Sequence, residues 1–110
     1  MSEFEKVADV SELPAGSCRA YVLGGRKVAV YHTGRGFFAT DDACPHRGGP
    51  LSEGDILGDE IVCPWHLWSF RLETGLNPAS PPGGEVRVRT HEVRVDNDAV
   101  MVRLTKEENA

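Results

Sequence analysis

The sequence lacks the features of several large protein classes. Its 110 residues contain no apolar run approaching the length of about 18 that a membrane span needs. The first residues lack the basic-then-apolar order of a secretory signal. No block of lysine and arginine is present, and 17 acidic residues against 12 basic ones give a net charge of −5, which argues against nucleic acid as a partner. We therefore expect a cytoplasmic protein with no membrane or nucleic-acid partner.

Helical periodicity is also scarce, because no window of eleven or more residues has a convincing helical pattern. The 12 glycines and 7 prolines favour a turn-rich β protein. Short apolar segments flank turns at residues 24–26 and 58–59, which predicts a β-hairpin at each place. One helical turn is predicted at residues 10–13, capped by Ser11. The length fits a single domain, 1–110.

Cysteine is also sparse, at three residues. Disulfides are rare in a reducing compartment, so the cysteines are expected to be ligands, nucleophiles or core residues. Cys18 lies in a strand pattern far from the other two, and we predict a core residue. His32 and His91 have no cysteine at ligand spacing, and we predict ordinary sheet or surface histidines.

The other two cysteines each have a histidine close by. Cys44 and His46 form a C-x-H pattern, and Cys63 and His66 form a C-x-x-H pattern. Sixteen residues separate the two patterns. Each pattern lies in a tight loop after an apparent strand. Two such loops can converge, which would place two sulfurs and two nitrogens around one point.

A set of two cysteines and two histidines has two metal interpretations. One is a single tetrahedral zinc ion. The other is a [2Fe–2S] cluster with two cysteines on one iron and two histidines on the other. Zinc fingers usually keep their cysteines together and their histidines together, whereas each loop here pairs one cysteine with one histidine. That order favours the cluster, with zinc as the alternative.

On these motifs the chain resembles Rieske-type [2Fe–2S] proteins in their small soluble ferredoxin form. The resemblance covers nearly the whole chain, and its most specific parts are residues 44–51, CPHRGGPL, and 63–66, CPWH. It implies an all-β Rieske fold, in which small antiparallel sheets form a sandwich or partial barrel. A cluster-binding subdomain of about residues 43–84 would lie at one tip. The proline-rich segment 77–84 resembles the loop that shields the cluster in this family.

The resemblance also implies a ligand set. Cys44 and Cys63 would bind the inner iron of one Rieske-type [2Fe–2S] cluster, and His46 and His66 would bind the outer iron on the solvent side.

Residues near the ligands refine this expectation. Trp65 is expected to pack over the cluster, and Asp41 and Asp42 are expected to be turn residues at a strand end. High-potential members of the family carry hydroxyl groups where this chain has Trp68 and Phe70, and those hydroxyls stabilise the reduced state. We therefore expect a midpoint potential near the lower end of the Rieske range, roughly −150 mV.

The function implied by the resemblance is one-electron transfer from a reductase to an oxygenase or similar terminal enzyme. The chain is too short to add a mononuclear iron domain, and it has no dinucleotide-binding fingerprint, so it is not expected to be a complete enzyme by itself. A monomer is the default for a mobile carrier. Two alternatives are the small subunit of an assimilatory NAD(P)H nitrite reductase, which residues 45–54 and 72–75 also resemble, and a zinc-stabilised interaction domain.

Overall fold

The computed structural model describes residues 4–45, 48–65 and 68–105. The strands within these ranges are β1 (Glu5–Asp9), β2 (Cys18–Leu23), β3 (Arg26–Thr33), β4 (Gly36–Asp41), β5 (Asp55–Leu57), β6 (Glu60–Val62), β7 (Ser69–Arg71), β8 (Thr90–Asp96) and β9 (Ala99–Arg103). Two single 3-10 turns, Val10–Glu12 and Leu51–Glu53, are the helical elements of this part of the chain. Neither has the length or hydropathy to cross a membrane. The predicted all-β class is confirmed.

The strands form two antiparallel sheets. The larger sheet has six strands in the order β1-β9-β8-β4-β3-β2, and the smaller has three in the order β5-β6-β7. Both predicted hairpins are confirmed, since β2 pairs with β3 around residues 24–25 and β5 pairs with β6 around residues 58–59. Glycine suits these turns because Gly24, Gly25 and Gly58 have positive φ angles.

The predicted helical turn is present but begins two residues earlier than its expected cap implies. It spans Val10–Glu12, and its N-cap is Asp9 rather than Ser11. Asp9 is the last, extended residue of β1, and its backbone N–H donates to Glu12 Oε1 at 2.8 Å. The Glu12 side chain, at the third helical position, thus accepts a hydrogen bond from the N-cap backbone, as one half of a capping box does.

Strand β3 separates two hydrophobic cores, because side chains alternate across a strand. Val28 and Val30 face the first core, and Ala29 and Tyr31 face the second. The second core, which we call the inter-sheet core, lies between the large and small sheets. It consists of Ala29, Tyr31, Cys44, Leu51, Ile61, Cys63, Phe70, Leu72 and Val88. Cys44 and Cys63 therefore both belong to the inter-sheet core.

Candidate metal centre

The first cysteine loop follows β4 and is closed by backbone hydrogen bonds. The Leu51 N–H donates to the Asp42 carbonyl oxygen at 2.7 Å, and the Cys44 N–H donates to the Gly49 carbonyl oxygen at 2.9 Å. These bonds form a short stem, and we call residues 45–48, which connect its two sides in the sequence, the tip of this loop. Cys44 therefore occupies the last paired position before the tip.

The second cysteine loop has the same construction. It connects β6 to β7, and Val62 pairs with Ser69 at its base. The Cys63 N–H donates to the Trp68 carbonyl oxygen at 2.7 Å, so Cys63 is also the last paired residue before its tip, residues 64–67. Each tip has four residues and begins with proline.

The two loops meet at Gly49. A Cβ atom at this position would lie 3.0 Å from Cys63 Sγ and 3.0 Å from two atoms of the Trp65 ring. Ordinary carbon contacts are about 3.5–4.0 Å, so the loops approach closely only because residue 49 has no side chain. Cys44 is 2% exposed and Cys63 is 0% exposed. The structure therefore brings the two cysteine-bearing stems together, as the motif spacing predicts.

The two predicted histidine ligands, His46 and His66, lie outside the described residues, as do their neighbours Arg47 and Leu67. Within the described ranges, no group of three or more histidine, cysteine or acidic side chains could hold a metal. The four-ligand set therefore stays a prediction.

The described residues fit a group held by two thiolates where the loops meet. No disulfide joins any of the three cysteines, and the two in the loops are surrounded by apolar side chains of the inter-sheet core. On the side of the first loop the neighbours are glycines. A Cβ on Gly48 would meet no atom of the described residues within 4 Å, whereas one on Gly49 would be crowded by the second loop.

Trp65, in the second tip, is 60% exposed. Its ring lies against the Gly49 position but leaves most of its surface to solvent, so its packing over the cluster stays a prediction. Phe70 is fully buried in the inter-sheet core, and Trp68 is half-buried against that core. Neither side chain has a hydroxyl group.

Cys18 is a core residue, as predicted. It lies on β2, packs half-buried against the inter-sheet core and donates its thiol proton to the Ser52 carbonyl oxygen at 3.0 Å. Burial, followed by the negative charges of Asp42 and Asp55, raises the pKa of the Cys18 thiol. Because Cys18 lies on β2 rather than in either cysteine loop and its thiol is bonded to Ser52, it is not part of the candidate centre.

The remaining histidines lie in the large sheet, as predicted. His32 Nδ1 is 2.7 Å from the Leu13 carbonyl oxygen. His91 is buried, its Nδ1 accepts the Thr105 N–H at 2.9 Å, and its Nε2 lies 2.8 Å from Asp41 Oδ1. Because Nδ1 is an acceptor, Nε2 carries the proton and donates to the carboxylate. Burial lowers the pKa of His91. No local sequence pattern predicts this network, because it depends on contacts between distant segments.

The proline-rich segment 77–84 contains no strand, as predicted. Asn77 is buried, its Oδ1 accepts the Ala79 N–H at 2.8 Å, and its carbonyl oxygen accepts the Ser80 hydroxyl at 2.6 Å. Together with Trp68 and Val86, this segment lines a groove beside the second cysteine loop. Its role as a shield stays a prediction.

Comparison with known families identifies one match over most of the chain. The family described as "Rieske [2Fe-2S] domain" matches residues 3–92.

Curated relatives and solved structures agree with this match. Ferredoxin CarAc of Metapseudomonas resinovorans is 41% identical over 96 residues, covering 82% of this chain and 90% of the relative. The biphenyl dioxygenase ferredoxin subunit of Pseudomonas sp. (strain KKS102) is 33% identical over 104 residues, covering 94% of both chains. A structure described as a complex of reduced oxygenase and oxidized ferredoxin in carbazole 1,9a-dioxygenase contains a chain that matches with a TM-score of 0.82 and 36% identity, covering 96% of this chain and 97% of that one.

Proposed function

The chain belongs to the family of Rieske [2Fe–2S] domains, and we propose that it is a ferredoxin that carries single electrons from a reductase to an oxygenase. The observation that carries this proposal is the meeting of two equally built cysteine loops at Gly49. The relatives above are named as ferredoxins or ferredoxin subunits, one of them of a biphenyl dioxygenase. These names favour an oxygenase over a nitrite reductase as the electron acceptor.

The proposed ligands of the cluster's inner iron are Cys44 and Cys63, and those of its outer iron are His46 and His66. Equal loop construction supports this assignment, because each stem ends at a buried cysteine and each four-residue tip contains one histidine. We extend the same argument to a cluster-binding subdomain of about residues 43–84 within a single domain, 1–110.

When bound, a [2Fe–2S] cluster accepts and releases one electron, and its histidine ligands raise the reduction potential relative to an all-cysteine cluster. The chain itself supplies the surroundings. Buried apolar side chains such as Ile61 and Phe70 exclude water from the cysteine side. Neither Trp68 nor Phe70 can donate a hydroxyl hydrogen bond, so we expect a midpoint potential of roughly −150 mV.

The tips of the two cysteine loops form the surface that we propose contacts both redox partners. Pro45 and Pro64 are exposed and Trp65 is 60% exposed. Within the described part of the two tips, residues 45, 48, 64 and 65, no side chain is charged. The described part of this surface is therefore uncharged, while the net charge of −5 acts on the partner at longer range. We further propose a cytoplasmic monomer that binds neither membranes nor nucleic acid.

Ligand variants test the assignment. Cys44→Ser and Cys63→Ser are each expected to abolish the visible absorption and lower the iron content, because an inner-iron ligand is lost. Cys18→Ser is the matched control and is expected to keep both, because that thiol is bonded to Ser52 instead. A Cys44→Ser protein with the wild-type spectrum would contradict the ligand set.

The acceptor is tested by purifying the tagged chain from its own cells. A co-purifying oxygenase component supports the proposal. A stable complex with a sirohaem-containing subunit would contradict it and would favour the nitrite reductase alternative.

A further inference from the structure

Asp42 lies at the base of the first cysteine loop and ties that base to its surroundings. The residue is 3% exposed and stands two positions before Cys44. Its Oδ1 accepts the Ser52 N–H at 2.8 Å, and its carbonyl oxygen accepts the Leu51 N–H at 2.7 Å. Its own N–H donates to the Lys27 carbonyl oxygen at 3.1 Å. Asp42 therefore joins both sides of the loop stem to β3.

The charge of Asp42 is buried while its counter-charge is not. Asp42 Oδ2 lies 3.5 Å from Lys27 Nζ, and the two side chains are 5% and 60% exposed. Solvent screens the lysine more than the carboxylate, so the lysine compensates only part of the buried negative charge. The negative charge of Asp42 acts on two groups that belong to the inter-sheet core or pack against it. After burial, the largest cause, Asp42 raises the pKa of the Cys18 thiol, and it is a minor cause of the raised pKa of the Tyr31 hydroxyl.

We propose that Asp42 positions the first cysteine loop and keeps the reduction potential of the electron-carrying site low. This inference rests on the proposed function and deepens it. A fixed negative charge in a protein interior disfavours the arrival of an electron nearby. Two residues of extended chain span about 7 Å, so Asp42 is close to the site.

The expected size follows from Coulomb's law. The interaction of two unit charges about 10 Å apart, at an effective dielectric constant of about 20, is enough to change the equilibrium constant for reduction about tenfold. For a one-electron reduction, a tenfold change corresponds to about 59 mV.

The test compares the midpoint potential and the iron content of Asp42→Asn with those of the wild type. Asparagine keeps an oxygen that can accept the Ser52 N–H but removes the charge. We expect normal iron content and a reduction equilibrium constant about tenfold higher. Asp96→Asn, which removes an exposed carboxylate at the end of β8, is the matched control and should leave the potential unchanged. Asp42→Ala also removes the acceptor and should lower the iron content.

A purely structural role would leave the potential of the loaded protein unmoved. A fully loaded Asp42→Asn protein with the wild-type potential therefore overturns the inference. If Asp42→Asn does not load, Lys27→Gln decides, because loss of the lysine leaves the carboxylate charge less compensated. A lower potential in Lys27→Gln supports the inference, and an unchanged one overturns it. A wild-type protein without a cluster would instead overturn the proposed function, before any variant is compared.

Discussion

Gly49→Ala tests the packing of the two cysteine loops directly. The added methyl group would lie 3.0 Å from Cys63 Sγ and from the Trp65 ring, which is about 0.5 Å closer than a normal carbon contact. The tryptophan ring can turn further into solvent because it is 60% exposed. The cysteine cannot yield as easily, because it is 0% exposed and its N–H is bonded to Trp68. The strain therefore falls on the stem of the second loop.

Overpacking of this kind costs about 1–3 kcal/mol, a large part of a typical stability of about 5–15 kcal/mol. We expect urea unfolding of Gly49→Ala to show a loss within that range, with less iron per chain. Gly34→Ala is the matched control, since a Cβ there meets no atom within 4 Å, and its free energy of unfolding should stay within about 0.5 kcal/mol of the wild type. If Gly49→Ala were as stable as Gly34→Ala and held the same iron, the two loops would not be packed as described.

Three further predictions concern buried residues of the two sheets. The native pKa of His91 is lowered by burial, so its contribution to stability is fully present above its unfolded pKa of about 6.5 and is lost as pH falls below that value. Urea unfolding between pH 7 and 5 should therefore show a smaller loss of unfolding free energy for His91→Gln than for the wild type. An equal loss in both proteins would contradict this. Tyr31→Phe removes a 2.8 Å hydrogen bond to Thr40 and should cost about 0.5–1.5 kcal/mol in the same assay, whereas an unchanged midpoint would show that the bond contributes nothing. Phe70→Ala should cost about 3–5 kcal/mol because the ring is fully buried, while Leu57→Ala, at a side chain that is 64% exposed, should stay within about 0.5 kcal/mol; similar losses in both would contradict the described core.

Local sequence signals predicted much of the fold. The glycines of the β2–β3 and β5–β6 hairpins mark their turns because a positive φ angle is needed there. The paired C-x-H and C-x-x-H motifs were enough to predict two loops that converge, because few other arrangements give so many metal ligands in so short a chain. The family resemblance then supplied the sheets and the expected cluster.

Contacts between distant segments could not be predicted in the same way. Asp42 lies in a bend directly after β4, as expected, but its burial was not predicted, because it depends on the Ser52 N–H, ten positions later, that donates to its carboxylate. The burial of His91 likewise depends on Thr105, at the far end of the described chain. The close approach of Gly49 to Cys63 joins two loops from different sheets, and no pattern within either loop indicates it.

The central claim is that this chain holds a Rieske-type [2Fe–2S] cluster between its two cysteine loops. An EPR spectrum of the dithionite-reduced protein, with iron and zinc quantified on the same sample, tests this claim most directly. We predict a rhombic signal with an average g value of about 1.9 and about two irons per chain, as the family's two-cysteine, two-histidine ligand set implies. A silent spectrum with about one zinc per chain would contradict the claim and would make the same four residues a structural zinc site.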